Sequence, residues 1–124
     1  MYYNDDVDED TYDGIPVSRL PIEEVDWEHR GEYIRTRSKR KGPDEFDVEA
    51  EWATEAVMDL RAVVRRDPAS LSGQGVRVTG FSAGAGRVLV VILVPKEHPP
   101  GGAWWGANSW SANDRDRRDY EETR

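Results

Sequence analysis

Residues 76–95 read VRVTGFSAGAGRVLVVILVP, and the periodicity of this stretch decides the fold. Val76, Val78 and Gly80 alternate with Arg77, Thr79 and Phe81, the period of two expected of a strand with one face buried. The AGAG at 83–86 suits a tight turn. RVLVVILVP, from Arg87 to Pro95, is an almost unbroken apolar run that proline ends. Such a run belongs near the centre of a sheet, covered on both faces. A β-hairpin is therefore the organising unit.

Upstream of it the period changes to that of a helix. DVEAEWATEAVMDLRAVVRR (47–66) opens with acids and repeats Val48, Trp52, Ala56 or Val57, Leu60 and Val63 at helical spacing. Asp67-Pro68 stops this helix, and PASLSGQG (68–75) is a loop. Further back, EHRGEYIRTRSKRK (28–41) is polar and weakly helical, with Gly31 costing roughly 1 kcal/mol inside it. IEEVDW (22–27) reads as a short strand. Downstream, KEHPPGG (96–102) is a connection and AWWGANSW (103–110) a third strand of the hairpin's set. Ser111 followed by Asp114 gives a capping-box-like start to a last helix. No internal repeat is visible. The order predicts an α+β domain, a small antiparallel sheet with helices packed on it.

Composition narrows the function classes. The chain of 124 residues has no cysteine, so disulfides and thiolate metal sites are excluded. His29 and His98 are the two histidines, too few for a multi-histidine metal centre. No apolar run approaches the ~20 residues that cross a bilayer, and the acidic start lacks the features of a signal peptide. A soluble, cytoplasmic protein without membrane association, metal or cofactor is expected. The net charge of −8 sits entirely in residues 1–30, which hold ten acids and two bases, while 31–124 are neutral. Residues 1–19 are polar and acidic enough to favour disorder, leaving 20–124 as a single domain. Inside that domain RTRSKRK concentrates five bases at Arg35, Arg37, Lys39, Arg40 and Lys41.

Three of the five tryptophans fall at Trp104, Trp105 and Trp110. Neighbouring strand residues face opposite ways, so Trp104 and Trp105 cannot share one core. One of them, and Trp110 at the strand end, should be partly exposed. Beside Asn108 and Ser109, such an indole suits stacking on an unpaired base.

Four stretches carry a family resemblance: VDWEHRGEYIRTRSKRKG (25–42), VEAEWATEAVMD (48–59), RVTGFSAGAGRVLVVILV (77–94) and RDRRDYEE (115–122). Together they resemble the BrnT-type toxins of bacterial type II toxin–antitoxin modules, which share the RelE-like ribonuclease fold. The resemblance implies a metal-independent endoribonuclease acting on RNA and neutralised by an antitoxin protein. Either a homo-oligomer or a toxin–antitoxin hetero-oligomer agrees with it. Arg77 and Arg87 fall at expected places and would stabilise the phosphorane charge, with His29 or His98 as general base. Arg35, Arg37, Lys39, Arg40, Lys41, Trp105, Asn108 and Trp110 would bind the RNA. The pattern departs from the family at one telling place: Trp110 stands where its arginine precedes the last helix. A non-catalytic interaction domain that works through a protein partner is therefore the alternative. No helix-turn-helix spacing supports DNA binding.

Overall fold

The alternating stretch and the apolar run do become adjacent strands, and the remaining elements are arranged about them. In chain order the computed structural model, which describes residues 11–123, has β1 (Thr11–Tyr12), β2 (Ile15–Pro16), a 3₁₀ turn (Val17–Arg19) and β3 (Ile22–Asp26). Helices α1 (Gly31–Arg35), α2 (Arg37–Lys41) and α3 (Ala50–Met58) follow. Then come β4 (Val63–Arg66), β5 (Val76–Ser82), β6 (Arg87–Pro95), β7 (Gly102–Ser111) and α4 (Asp114–Thr123).

Strands β5 and β6 pair from Val76↔Leu93 to Ser82↔Arg87, and Gly86 supplies the positive φ (68°) that closes their turn. The large sheet runs β3-β7-β6-β5-β4. It is mixed rather than antiparallel, because β3 lies parallel to β7 at the edge. Parallel pairing needs a crossover, and three helices and three strands separate these two strands in sequence.

The helix expected over 47–66 ends at Met58, and 63–66 is instead the edge strand β4. Asp59 makes the stop. Its backbone is extended, and its carboxylate accepts the N–H of Arg61, the N–H of Phe81 at 2.8 Å and the hydroxyl of Tyr120 at 2.5 Å. Leu60, which fitted the helical spacing, is 101% exposed. The β-branched Val63-Val64 pair then joins the open edge of β5, whose outward backbone groups need partners. The start of α4 also differs from expectation: Asn113, not Ser111, caps it by accepting the Asp116 N–H.

The first face of the sheet carries the main core. Val76, Val78, Leu89, Val91, Leu93 and Trp104 pack there against Ile34, Val48 and the Ala53, Ala56 and Val57 side of α3. Gly80 brings α3 close, since a Cβ at that position would lie 1.9 Å from the Ala56 carbonyl oxygen. The folded domain begins earlier than residue 20. Tyr12 and Val17 are buried in this core, Tyr12 meeting Trp104 edge-on at 6.5 Å, so two apolar anchors hold an otherwise polar segment. The rest of the acidic arm, residues 1–10, lies outside the described residues.

Two carboxylates tie α3 to β5. The Gly84 N–H and the Ser82 hydroxyl hold the Glu55 carboxyl below its usual range. Burial works against ionising Asp59, but the hydrogen bonds from Tyr120, Phe81 and Arg61 outweigh it and leave its pKa lowered. A carboxylate with a depressed folded pKa contributes stability that is complete above its unfolded value, about 4, and is lost as pH falls through the folded value. Chemical denaturation should therefore show stability falling between about pH 5 and pH 2, with a shallower fall in Asp59→Asn. An equally steep fall in that variant would deny Asp59 its part.

Candidate nucleic-acid interface

The second face of the sheet is covered unevenly. Helix α4 lays Tyr120 over Val63, Val88, Val90 and Ala112 in a small separate cluster, with Ile92 and Trp110 at its margin. Beyond this margin the face is partly exposed, and the segment around α1 and α2 reaches β7 through His29, Arg30 and Arg37. Directly opposed residues point to the same side, so the pairs Val90↔Trp110, Ile92↔Asn108 and Val94↔Trp105 all belong to this face. Ile92, Val94, Trp105, Asn108 and Trp110 are each partly exposed.

A β-bulge sets this arrangement. The register shifts between Ile92 and Leu93, which pair with Asn108 and Gly106 and leave Ala107 unmatched. The extra residue reverses the alternation of β7, so Trp105 and Trp110 share one side although they are five positions apart. Arg30 steadies the bulge by donating from Nε to the Ala107 carbonyl at 3.2 Å. Trp104 turns inward, fully buried, and its Nε1 donates to the Pro21 carbonyl at 2.8 Å. The expected split of the tryptophan pair is therefore what the sheet makes.

Cations rim this surface. Lys96 lies 4.3 Å from the Trp105 ring centroid and pairs with Asp26 at 2.7 Å. That hydrogen bond, with the one from the Glu28 N–H, holds the Asp26 carboxyl below its usual range. His29 lies against Trp105 with ring centroids 4.6 Å apart. Arg37 and Arg77 flank Trp110, each with its Cζ 5.7 Å from the ring centroid. Arg37 pairs with Glu45 at 2.7 Å and Arg77 with Asp116 at 2.8 Å.

The expected site residues do not all gather here. Arg77 points to the second face, opposite Ile92, while Arg87 shares the first-face register with Leu89. Arg87 caps the Phe46 ring at 3.8 Å and donates to Ser111 Oγ. The two arginines therefore cannot meet at one phosphate. His98 is apart from both, in the 96–101 connection, where it contacts Asp13 at 3.1 Å. Of the basic run, Arg37 alone reaches a tryptophan: Arg35 pairs with Glu32, and Arg40 covers Tyr33 from 3.6 Å. Lys39 and Lys41 are exposed. The structure adds Lys96, Ile92 and Val94 to the face. Their common period of two from Ile92 to Lys96 is the signal that places them together.

Among the described residues, no group of three or more histidine, aspartate or glutamate side chains is arranged to hold a metal ion, and no helix is long and apolar enough to cross a membrane. No protein-family model matches the chain, and neither does any curated protein.

The Arg77–Asp116 pair is mostly shielded, with 28% and 14% of the two side chains exposed. Asp116 Oδ2 is buried without a hydrogen-bond partner, so Arg77 is what compensates this carboxylate. Arg77→Ala should cost about 1–3 kcal/mol in denaturant unfolding, because it strands a poorly solvated charge. Adding Asp116→Ala should recover part of that loss. A loss in the double variant equal to the sum of the two single losses would mean that the pair is not coupled.

Proposed function

We propose that this chain is a BrnT-like domain that binds single-stranded RNA on the partly exposed half of its second sheet face, as the RNA-directed member of a toxin–antitoxin pair. One observation carries the reading: two partly exposed tryptophans share that face with Asn108 and are rimmed by Arg37, Arg77 and Lys96. Stacking surfaces beside cations are what an unpaired strand requires, since bases supply π-faces and phosphates supply charge. Trp110, where the family carries arginine, exchanges a phosphate contact for a stacking platform. The resemblance across the hairpin and the last helix supplies the toxin–antitoxin context.

Binding is favoured over cleavage by where the reactive groups lie. Cutting RNA without a metal needs a base, a cation on the developing phosphorane and an acid for the leaving oxygen. Arg87 and His98 lie away from the tryptophan face, and Arg77 is engaged by Asp116. His29 against Trp105 is the one observation that favours an endoribonuclease.

Single-stranded RNA should quench the intrinsic tryptophan fluorescence saturably, and RNA recovered after long incubation in EDTA should be intact. Trp110→Ala should weaken binding by about 1–3 kcal/mol while circular dichroism stays that of the folded protein. Absence of saturable binding sinks the proposal. Metal-independent cleavage that His29→Ala abolishes would replace it with the endoribonuclease reading.

A further inference from the structure

The strands do not end the basic surface at Arg77. A groove of about 1110 Å³ opens beside it, between α4 and the β4 edge of the sheet. Five arginines line it: Arg65, Arg66, Arg77, Arg115 and Arg118. Four carboxylates line it as well, but they are unequally engaged. Asp119 is held by Arg65 through two hydrogen bonds, at 2.8 and 3.1 Å, and Asp116 is held by Arg77. Asp67 accepts the Ala69 N–H within its own loop, and Glu122, four residues after Arg118 on α4, forms no ion pair among the described residues. Arg66 is held in place by donating to the carbonyls of Thr11 and Gly73, bonds that leave its charge unneutralised.

Arg115 and Arg118 differ from these. They sit three apart on α4, so their side chains leave the helix on one face, and both are exposed. Among the described residues neither forms an ion pair, whereas Arg117 between them pairs with Asp114. Two guanidiniums without an ion pair among the described residues line a groove that also holds positive charge at Arg66, an arrangement suited to phosphate.

Continuity with the tryptophan face decides what that ligand is. Arg77 lines the groove and also stands 5.7 Å from the Trp110 ring centroid, so the two surfaces share a residue. We infer that a single RNA strand stacked on Trp110 continues past Arg77 into this groove, where Arg115 and Arg118 take its phosphates. A mononucleotide or a lone phosphate would not use both surfaces; a polymer would. This inference rests on the RNA-binding reading and extends the same site from base stacking to a backbone track.

Oligouridylates of roughly 3 and roughly 12 nucleotides separate the two claims, the longer being within the ~4–16 nucleotides that single-strand sites commonly occupy. The whole chain should bind the 12-mer more tightly and with a steeper salt dependence than the 3-mer. Arg115→Ala/Arg118→Ala should weaken the 12-mer about tenfold. The same double variant should reduce the slope of log K against log salt by about 1.4, or ~0.7 for each phosphate that is no longer neutralised. Its affinity for the 3-mer should be unchanged, and Arg117→Ala should leave both ligands unaffected. If the 12-mer slope does not change in the double variant, or changes as much in Arg117→Ala, the groove is not the track although the tryptophan face still binds RNA. If the unaltered protein binds neither oligomer, both the track and the reading beneath it fail.

Discussion

The Asp59 carboxylate is the constraint on which the rest of the architecture turns. It ends α3, anchors β5 through the Phe81 N–H and receives Tyr120 from α4. One residue thereby fixes three elements relative to one another. Because Tyr120 is drawn to the end of the sheet where Asp59 lies, α4 covers Val63, Val88, Val90 and Ala112 and goes no further. The partly exposed half of the second face, with Trp105 and Trp110, is the consequence. A helix docked nearer the centre of the strands would have buried that surface, Trp105 and Trp110 included.

Much of this fold was legible in the sequence, and for identifiable reasons. Alternation at 76–82 has a period of two, and the apolar run at 87–95 is short, valine-rich and ended by proline, as suits a buried strand. The fate of the adjacent tryptophans also followed from strand geometry, since Trp104 is buried and Trp105 is not. What misled was the spacing from Val48 to Val63. Leu60 lies in phase with a helix yet is fully exposed, because α3 ends two residues before it and is followed by Asp59, whose extended backbone and long-range hydrogen bonds periodicity does not register. Tertiary pairing then decided 63–66, whose arginines and valines suit an edge strand as well as a helix. The parallel placement of β3 and the docking of Tyr12 likewise depend on partners distant in sequence.

The candidate site was legible in type and not in geometry. Arg77 and Arg87 look equivalent in the sequence, but the hairpin register places them on opposite faces. The turn 83–86 pairs Ser82 with Arg87, which puts Arg87 in phase with Leu89, Val91 and Leu93, whereas Arg77 is out of phase with Val76 and Val78. Turn length and strand phase together carry that information. The bulge at Ala107 is different. Strict alternation from Trp105 would place Ala107 and Ser109 on its face, and the extra residue brings Asn108 and Trp110 there instead. Nothing in the local composition marks an alanine as the bulged position; the Arg30 hydrogen bond that steadies it comes from another part of the chain.

The two partly exposed tryptophans are not equivalent as candidate platforms. Lys96 lies 4.3 Å from the Trp105 centroid, well inside the roughly 6 Å range of a cation–π contact, and His29 is against the same ring at 4.6 Å. A base reaching Trp105 must displace one of these neighbours, which offsets part of the stacking energy. At Trp110 both guanidiniums stand at 5.7 Å, near the limit of that range, so they border the ring more than they cover it. On the proposed reading, a base would stack there with Arg37 and Arg77 at its border. Their own carboxylate partners, Glu45 and Asp116, hold both side chains in position before any ligand arrives. On the proposed RNA-binding reading, that preorganisation would lower the ordering cost at Trp110 and make it the anchor of a strand extending toward Trp105 on one side and the arginine groove on the other.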